Sequence, residues 1–218
     1  MTEILDGNVN AFERLRPPGS PLTLPDAQQL VVDTIERMER ATRGHIAVAD
    51  ALLRIAADRV GNDLNPNLVA SMQRRFTTAD IPLEVRVANA CSMTDVADGK
   101  YHIAIINFTL HHLPERDAPA ALRELDRVSG GGMILVDATR RRLALAAVPT
   151  MATLLAPRGG HRFARHDAIA TVRRAYTTPE LKQLVDDAGL GHRYQVGPLP
   201  TRHPERLIAQ AVWPTRQK

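Results

Sequence analysis

The chain carries a single cysteine, Cys91, among 218 residues. One thiol excludes a disulfide framework within the chain and any cysteine-rich zinc site, and it fits a reducing compartment. Aromatic residues amount to only 4%. None is interleaved with the arginine runs at Arg140–Arg142 and Arg173–Arg174, so no stacking platform for single-stranded nucleic acid is legible and nucleic acid is not an expected partner. No stretch approaches the ~18 uninterrupted apolar residues of a membrane span, and the opening MTEILDGNVNAFERL lacks the apolar core of a signal peptide. The expectation is a cytoplasmic protein without a membrane partner. Glycine is sparse at the start: before Asp63 there are only Gly7, Gly19, Gly44 and Gly61, and they form no cluster.

What is present describes an ordinary globular chain. Apolar residues make up 44% and charged residues 24%, enough for one domain with a core and a small helical addition. The net charge of +4 comes mostly from arginine. It reads either as a solvated basic face or as an attraction for an acidic substrate or nucleic acid.

The first 25 residues are polar and contain the stiff connector RPPGSPLTLP. Asp26 is placed to cap a helix reaching about Thr42, where Leu30, Val31, Ile35 and Met38 recur at helical spacing. Gly44 ends it, and HIAVADALLRIAADR reads as a second helix. Residues 1–58 are therefore read as a helical cap and 59–218 as an α/β domain.

In that domain RVGNDLNP is a short strand ending at Asp63, and Pro66 opens the next helix. LEVRVANA alternates as a strand from Leu83 to Val87. YHIAIINF is a more continuous apolar run, of the kind a strand buried on both faces shows. APAALRELDRV is an amphipathic helix with Leu122, Leu125 and Val128 on one side. The turn Gly130-Gly131-Gly132 leads into the strand MILVDA. Residues 141–170 read as an apolar helical piece followed by a loop, APRGGHRFARHD. TTPELKQLVDDAGL is a helix with Thr178 as cap, Pro179 at its first position and Gly189 at its end. HRYQVGPLP and ERLIAQAVW close the chain as an antiparallel strand pair. Strands alternating with helices give an α/β fold with a mostly parallel sheet.

The order of GNDLNP, VANA, YHIAIINFTLHHL, ALRELDRVSGGGMILVDATR and RRAYTTPELKQLVDDAGL resembles the class I S-adenosylmethionine-dependent methyltransferases. The similarity is to the small-molecule type with an LHHL stretch after the fourth strand, and it runs from about Val60 to Trp213. It implies a Rossmann-like, mostly parallel sheet with a C-terminal antiparallel strand pair, and S-adenosylmethionine as cofactor. It further implies transfer of a methyl group to a small-molecule acceptor through oxygen or carbon. The absence of an Asn-Pro-Pro-Tyr type stretch disfavours adenine or glutamine amide methylation.

By the same resemblance Asp63 and Leu64 sit where the ribose is held. Asn89 and Ala90 sit at the adenine, with asparagine standing where the family usually has aspartate. Asn107 and Phe108 border the methyl donor. An asparagine still accepts through its carbonyl and donates through its amide. His111 and His112 are adjacent, so on a regular element they point in different directions. His111 and His166 are the catalytic candidates, since a histidine is a ready base for a hydroxyl. For each, a packed or locally paired histidine is the competing interpretation.

The resemblance lacks one part. The family's first strand ends in a glycine-rich turn that lets the backbone approach the cofactor. From Asp50 to Arg59 there is no room for a turn, a crossover helix and a new strand, since a parallel crossover takes about a dozen residues. The first strand is therefore expected to be missing. The neighbouring strands then close up, or another segment or a second copy fills the slot as a homodimer, or the donor site is lost. The last outcome would make the chain an inactive methyltransferase-fold protein serving as a binding or assembly partner.

Overall fold

The computed structural model describes Arg14, Gly19, Ser20, Pro21, Thr23, Asp26 and residues 60–63, 66–78, 84–156, 160–198 and 208–215. The helices expected between Asp26 and Arg59, the question of the first strand and Leu64 fall outside these residues. At the edge of that region Thr23 and Asp26 exchange hydrogen bonds. The Thr23 N–H donates to Asp26 Oδ2 at 2.9 Å and the Asp26 N–H donates to Thr23 Oγ1 at 3.3 Å. This is the reciprocal hydrogen-bond pattern of a capping box.

Among the described residues twelve elements follow in chain order, of which the first is β1 (Val60–Asp63), then α1 (Pro66–Thr78), β2 (Glu84–Val87) and β3 (Ala104–Asn107). A 3-10 turn (Leu110–His112) precedes α2 (Ala118–Val128) and β4 (Met133–Ala138). Next come α3 (Arg142–Leu155), α4 (His161–Arg174) and α5 (Thr178–Asp187), then β5 (Tyr194–Pro198) and β6 (Ala209–Pro214). Strands β1 and β2 pair in parallel, with Asp63 opposite Val87. The other four are ordered β3-β4-β6-β5, with β3 and β4 parallel and β6 antiparallel to both β4 and β5. This is the Rossmann-like arrangement with a C-terminal antiparallel pair that the sequence pattern implies. Among the described residues β1 and β3 do not pair with each other.

The core lies between this sheet and the two helices α2 and α5. On α2 the buried residues Ala118, Ala121, Leu122, Leu125 and Val128 recur at helical spacing and form one apolar stripe. On α5 the stripe is Leu181, Leu184 and Val185. Both meet Met133 and Leu135 of β4 and Val212 of β6. A fully buried leucine such as Leu122 or Leu181 contributes about 1.5–3 kcal/mol relative to exposure.

Three local expectations change. Thr177, not Thr178, caps α5: its side chain accepts from the Glu180 N–H while the Glu180 side chain accepts from the Thr177 N–H. Pro179 is thereby second rather than first in the helix. Residues 161–174 form α4 rather than a loop, because Phe163, Ala164, Ala168 and Val172 are buried on it, with Ala164 and Ala168 packing on α3. Finally, β3 is not buried on both sides. Ala104 and Ile106 point into the core, while Ile103 and Ile105 remain 41% and 44% exposed, the alternation of a half-covered strand. No described helix is long and apolar enough to cross a membrane.

Candidate functional site

In an open α/β sheet, ligands bind beyond the carboxyl ends of the parallel strands. Asp63 closes β1 there, and in register with it Val87 closes β2. Asn89 follows two residues later in a tight turn. Its backbone carbonyl accepts from the Ser92 N–H at 3.0 Å, and its Oδ1 accepts from the Cys91 N–H at 3.0 Å. The side-chain oxygen is thus already engaged, in a residue that is exposed. Ala90 is half-buried in the same turn.

That turn is anchored from below by α2. Arg127 donates to the carbonyls of Met93 and Val96 at 3.0 and 2.8 Å and to Asp98 and Glu124, while Glu124 accepts from the Met93 N–H at 2.6 Å. The Arg127 guanidinium holds the Glu124 carboxyl below its ordinary range. A bidentate, charge-assisted clamp of this kind fixes the position of the chain leaving β2.

Asn107 closes β3 in the other sheet. Its side chain is exposed and its carbonyl accepts from Thr109 Oγ1 at 2.9 Å. Phe108 follows with φ of 47°, a left-handed backbone that costs a non-glycine residue roughly 1–2 kcal/mol. It is the only such non-glycine among the described residues, and it turns the chain sharply at the strand tip. Asp63 and Asn89 therefore share one end of the β1–β2 pair, and Asn107 and Phe108 stand at the corresponding end of β3.

The two neighbouring histidines separate as their adjacency requires. His111 is buried and His112 exposed, their ring centroids 4.1 Å apart and tilted by 41°. His111 Nδ1 lies 2.5 Å from Asp137 Oδ1, and the His111 N–H donates to Asp137 Oδ2 at 2.9 Å. Asp137 Oδ1 also accepts from the Ala138 N–H at 2.8 Å. The side chains of His111 and Asp137 are 1% and 2% exposed. His111 Nε2 and Thr139 Oγ1 are buried and have no hydrogen-bond partner among the described residues.

Helix α4 packs on this turn. It carries His166, whose Nε2 accepts from the Arg14 guanidinium at 3.3 Å, so the two catalytic candidates differ: the ring of His166 is engaged from outside and that of His111 is held from inside. Burial pushes the Asp167 carboxyl upward, against the opposing pull of His111, His166 and Arg174. Sequence reasoning passed over Asp137 and Thr139. The available signal was an aspartate at the close of the apolar run MILVDA, where a carboxylate is costly to bury without a partner.

A cavity of about 300 Å³ lies elsewhere, lined by Lys182, Val185, Gly191 and Tyr194. Tyr194 reaches the start of β4 through Met133, so this hollow belongs to the amino end of that strand, away from the site.

Residues 41–132 match the family model of a methyltransferase domain. No curated protein matches the chain by sequence. Among solved structures, the plantazolicin methyltransferase BamL, in complex with a triazolic desmethylPZN analog and SAH, is similar with a TM-score of 0.56 at 15% identity, over 91% of this chain and 80% of that one. A Pyrococcus horikoshii OT3 protein gives 0.52 at 10% identity, over 94% and 98% of the two chains. A SAM-dependent methyltransferase from Aquifex aeolicus gives 0.50 at 15% identity, over 75% and 73%. With the parallel pairs β1–β2 and β3–β4 and the inserted antiparallel β6, these likenesses give the chain the fold of the class I S-adenosylmethionine-dependent methyltransferases.

Proposed function

We propose that this chain is an S-adenosylmethionine-dependent methyltransferase acting in the cytoplasm on a small-molecule oxygen or carbon acceptor. The observation that carries the reading is Asp63 at the carboxyl end of parallel β1, beside β2 in register. A carboxylate there accepts both ribose hydroxyl hydrogens of an adenosyl group. The donor set fits such a group elsewhere too. The Asn89 amide remains to hydrogen-bond a ring nitrogen of adenine beside Ala90, and Asn107 and Phe108 border the sulfonium end.

When bound, the donor supplies an electrophilic methyl group on a sulfonium. The chain's own part is to hold and orient both reactants, which can supply much of the rate of a displacement. The match of residues 41–132 to a methyltransferase domain supports this over a purely structural role. The BamL complex, with a non-macromolecular ligand beside SAH, supports a small acceptor.

Calorimetric titration with S-adenosylhomocysteine tests it. Binding is expected. Asp63→Ala should weaken it about 10- to 100-fold, as loss of a charged hydrogen bond of roughly 1.5–3 kcal/mol predicts. No heat at millimolar ligand, or unaltered affinity in Asp63→Ala, would refute the reading.

A further inference from the structure

The positive charge of the chain is concentrated in one stretch. Residues 139–179 hold eight arginines and a single acid, Asp167, a net charge of +7 against +4 for the whole chain. The remainder is therefore net negative, and the basic character of the protein belongs to the α3–α4 hairpin and its flanks. Like charges gathered in one place repel each other and set up a field that draws anions.

The fold brings two of the arginine runs together. Arg140 to Arg142 follow directly on β4, and Arg173 and Arg174 close α4. Far apart in the chain, they meet because the Arg140 N–H donates to the Tyr176 carbonyl at 3.1 Å, which draws the end of α4 against the exit of β4. That exit is the carboxyl end of a parallel strand, the end at which an open α/β sheet receives ligands. Helix α4 also packs on the 3-10 turn Leu110–His112, and Arg174 is near enough to His112 and Asp167 to act on both electrostatically.

Only Arg140 among these guanidiniums is answered, by the Glu180 carboxylate. Among the described residues no carboxylate stands within ion-pair distance of Arg141, Arg142, Arg173 or Arg174, although Arg86, Arg116, Arg127 and Arg193 each have one. Arg141 and Arg142 also sit at the amino end of α3, where the helix dipole disfavours a cation. That end has no acidic residue in its first turn and no side-chain cap. Beside them the buried Thr139 hydroxyl has no partner among the described residues. Positive charge thus stands at the tip of β4 with no anion of the described chain to meet it.

Resting on the methyltransferase reading above, we propose that the acceptor is a small organic anion, and that Arg141 and Arg174, flanked by Arg142 and Arg173, bind its carboxylate or phosphate oxygens at the tip of β4. A guanidinium presents its donors in a planar fork that matches either group. The surrounding arginines raise the local concentration of such a molecule on its way to the site.

Arginine Nε–H signals in nitrogen-15 spectra of the full chain test this. The probes are benzoate and phenyl phosphate, with neutral benzamide as the matched control. Arg141 and Arg174 should shift saturably with at least one of the two anions at millimolar concentration and stay still with benzamide. Arg74 on α1 and Arg123 on α2 are exposed and should not follow. Replacing both Arg141→Gln and Arg174→Gln should weaken anion binding at least about 10-fold, the lower end of what charge-assisted hydrogen bonds contribute.

Equal, unsaturated shifts across Arg74, Arg123, Arg141 and Arg174 would mean a solvated basic face and overturn the proposal. So would loss of the anion shifts on adding S-adenosylhomocysteine, because the arginines would then hold the donor's own carboxylate. A random oligonucleotide that shifts these signals where the small anions do not would assign the patch to nucleic acid and overturn it as well. If the double variant does not fold, the wild-type shifts decide. Calorimetric titration with S-adenosylhomocysteine separates the two ideas. Saturable arginine shifts without ligand heat would end the methyltransferase reading and leave an anion site, whereas heat without those shifts would end this proposal alone.

Discussion

Tyr194→Phe removes one oxygen at a junction of three elements. Tyr194 is 4% exposed. Its hydroxyl accepts from the Met133 N–H at 3.0 Å and donates to Asp126 Oδ1 at 2.5 Å. The ladder between β4 and β6 ends at the pair Leu135–Val212, so the N–H of Met133 lies past the last ladder partner and the phenol supplies what the sheet does not. Asp126 loses less, because Arg193 still holds its Oδ2 at 2.6 Å. The dominant loss is one buried backbone donor, and we expect destabilisation of about 2 kcal/mol, within the usual 1–3 for an orphaned group. For a chain of this size that corresponds to roughly 4–8 °C in Tm, or a urea midpoint about 1 M lower at unchanged slope.

The same residue sets a pH test. Burial first, and then the hydrogen bond to Asp126, push the Tyr194 phenol up to about 12. The fold therefore favours the neutral phenol. That preference contributes fully below the ordinary tyrosine value of about 10 and is lost as pH climbs toward the folded value. Phenylalanine has no such dependence, so the stability gap between wild type and variant should narrow above pH 10. A loss under about 0.5 kcal/mol at neutral pH would show that Met133 finds another partner, and a gap that stays constant into alkali would refute the pH argument.

Two further substitutions test local geometry by urea unfolding. Thr177→Ala deletes the side-chain half of the capping box on α5 and leaves the backbone N–H of residue 177 donating to Glu180; it should cost about 1 kcal/mol, and no loss would mean the first turn is capped by other groups. Gly131→Ala would place a Cβ 2.5 Å from the His102 carbonyl oxygen, whereas at Gly130 the nearest atom is 3.6 Å away. The first should cost roughly 1–3 kcal/mol as forced overpacking and the second distinctly less, and equal costs would contradict the close approach of the two backbones.

What the sequence made legible follows the strength of each signal. Helix α2 was readable because leucine and valine mark its buried stripe, and the strand MILVDA because an unbroken apolar run follows a glycine turn. Helix α4 was hidden: three of its buried residues are Ala164, Ala168 and Val172, and alanine on a helix face carries almost no hydrophobic contrast, while the preceding Gly159-Gly160 suggests a loop. The cap of α5 slipped by one because Thr177 and Thr178 are chemically identical candidates, and only geometry decides which is extended. Asp63 and Asn107 could be placed at strand ends from the pattern, and the interest of these two and of Asn89 came from the family resemblance. The contact of His111 with Asp137 could not, because the two are separated by 26 positions and meet only when β3 and β4 lie in register.

The distribution of strain within the β3–β4 pair points to the end that works. At the amino end several polar groups near the strand start have partners among the described residues. Tyr194 serves Met133, the Gly130 and Gly131 N–H groups donate to the Tyr101 and His102 carbonyls, and Arg193 and Tyr194 share Asp126. At the carboxyl end the chain tolerates a left-handed Phe108, an unanswered ring nitrogen on His111 and an unanswered hydroxyl on Thr139. Each costs on the order of a kilocalorie or more, yet the same strands a few residues earlier show that this fold is able to satisfy such groups. Strain and unmet hydrogen bonds thus collect, among the described residues of this strand pair, at the end where an open α/β fold receives ligands.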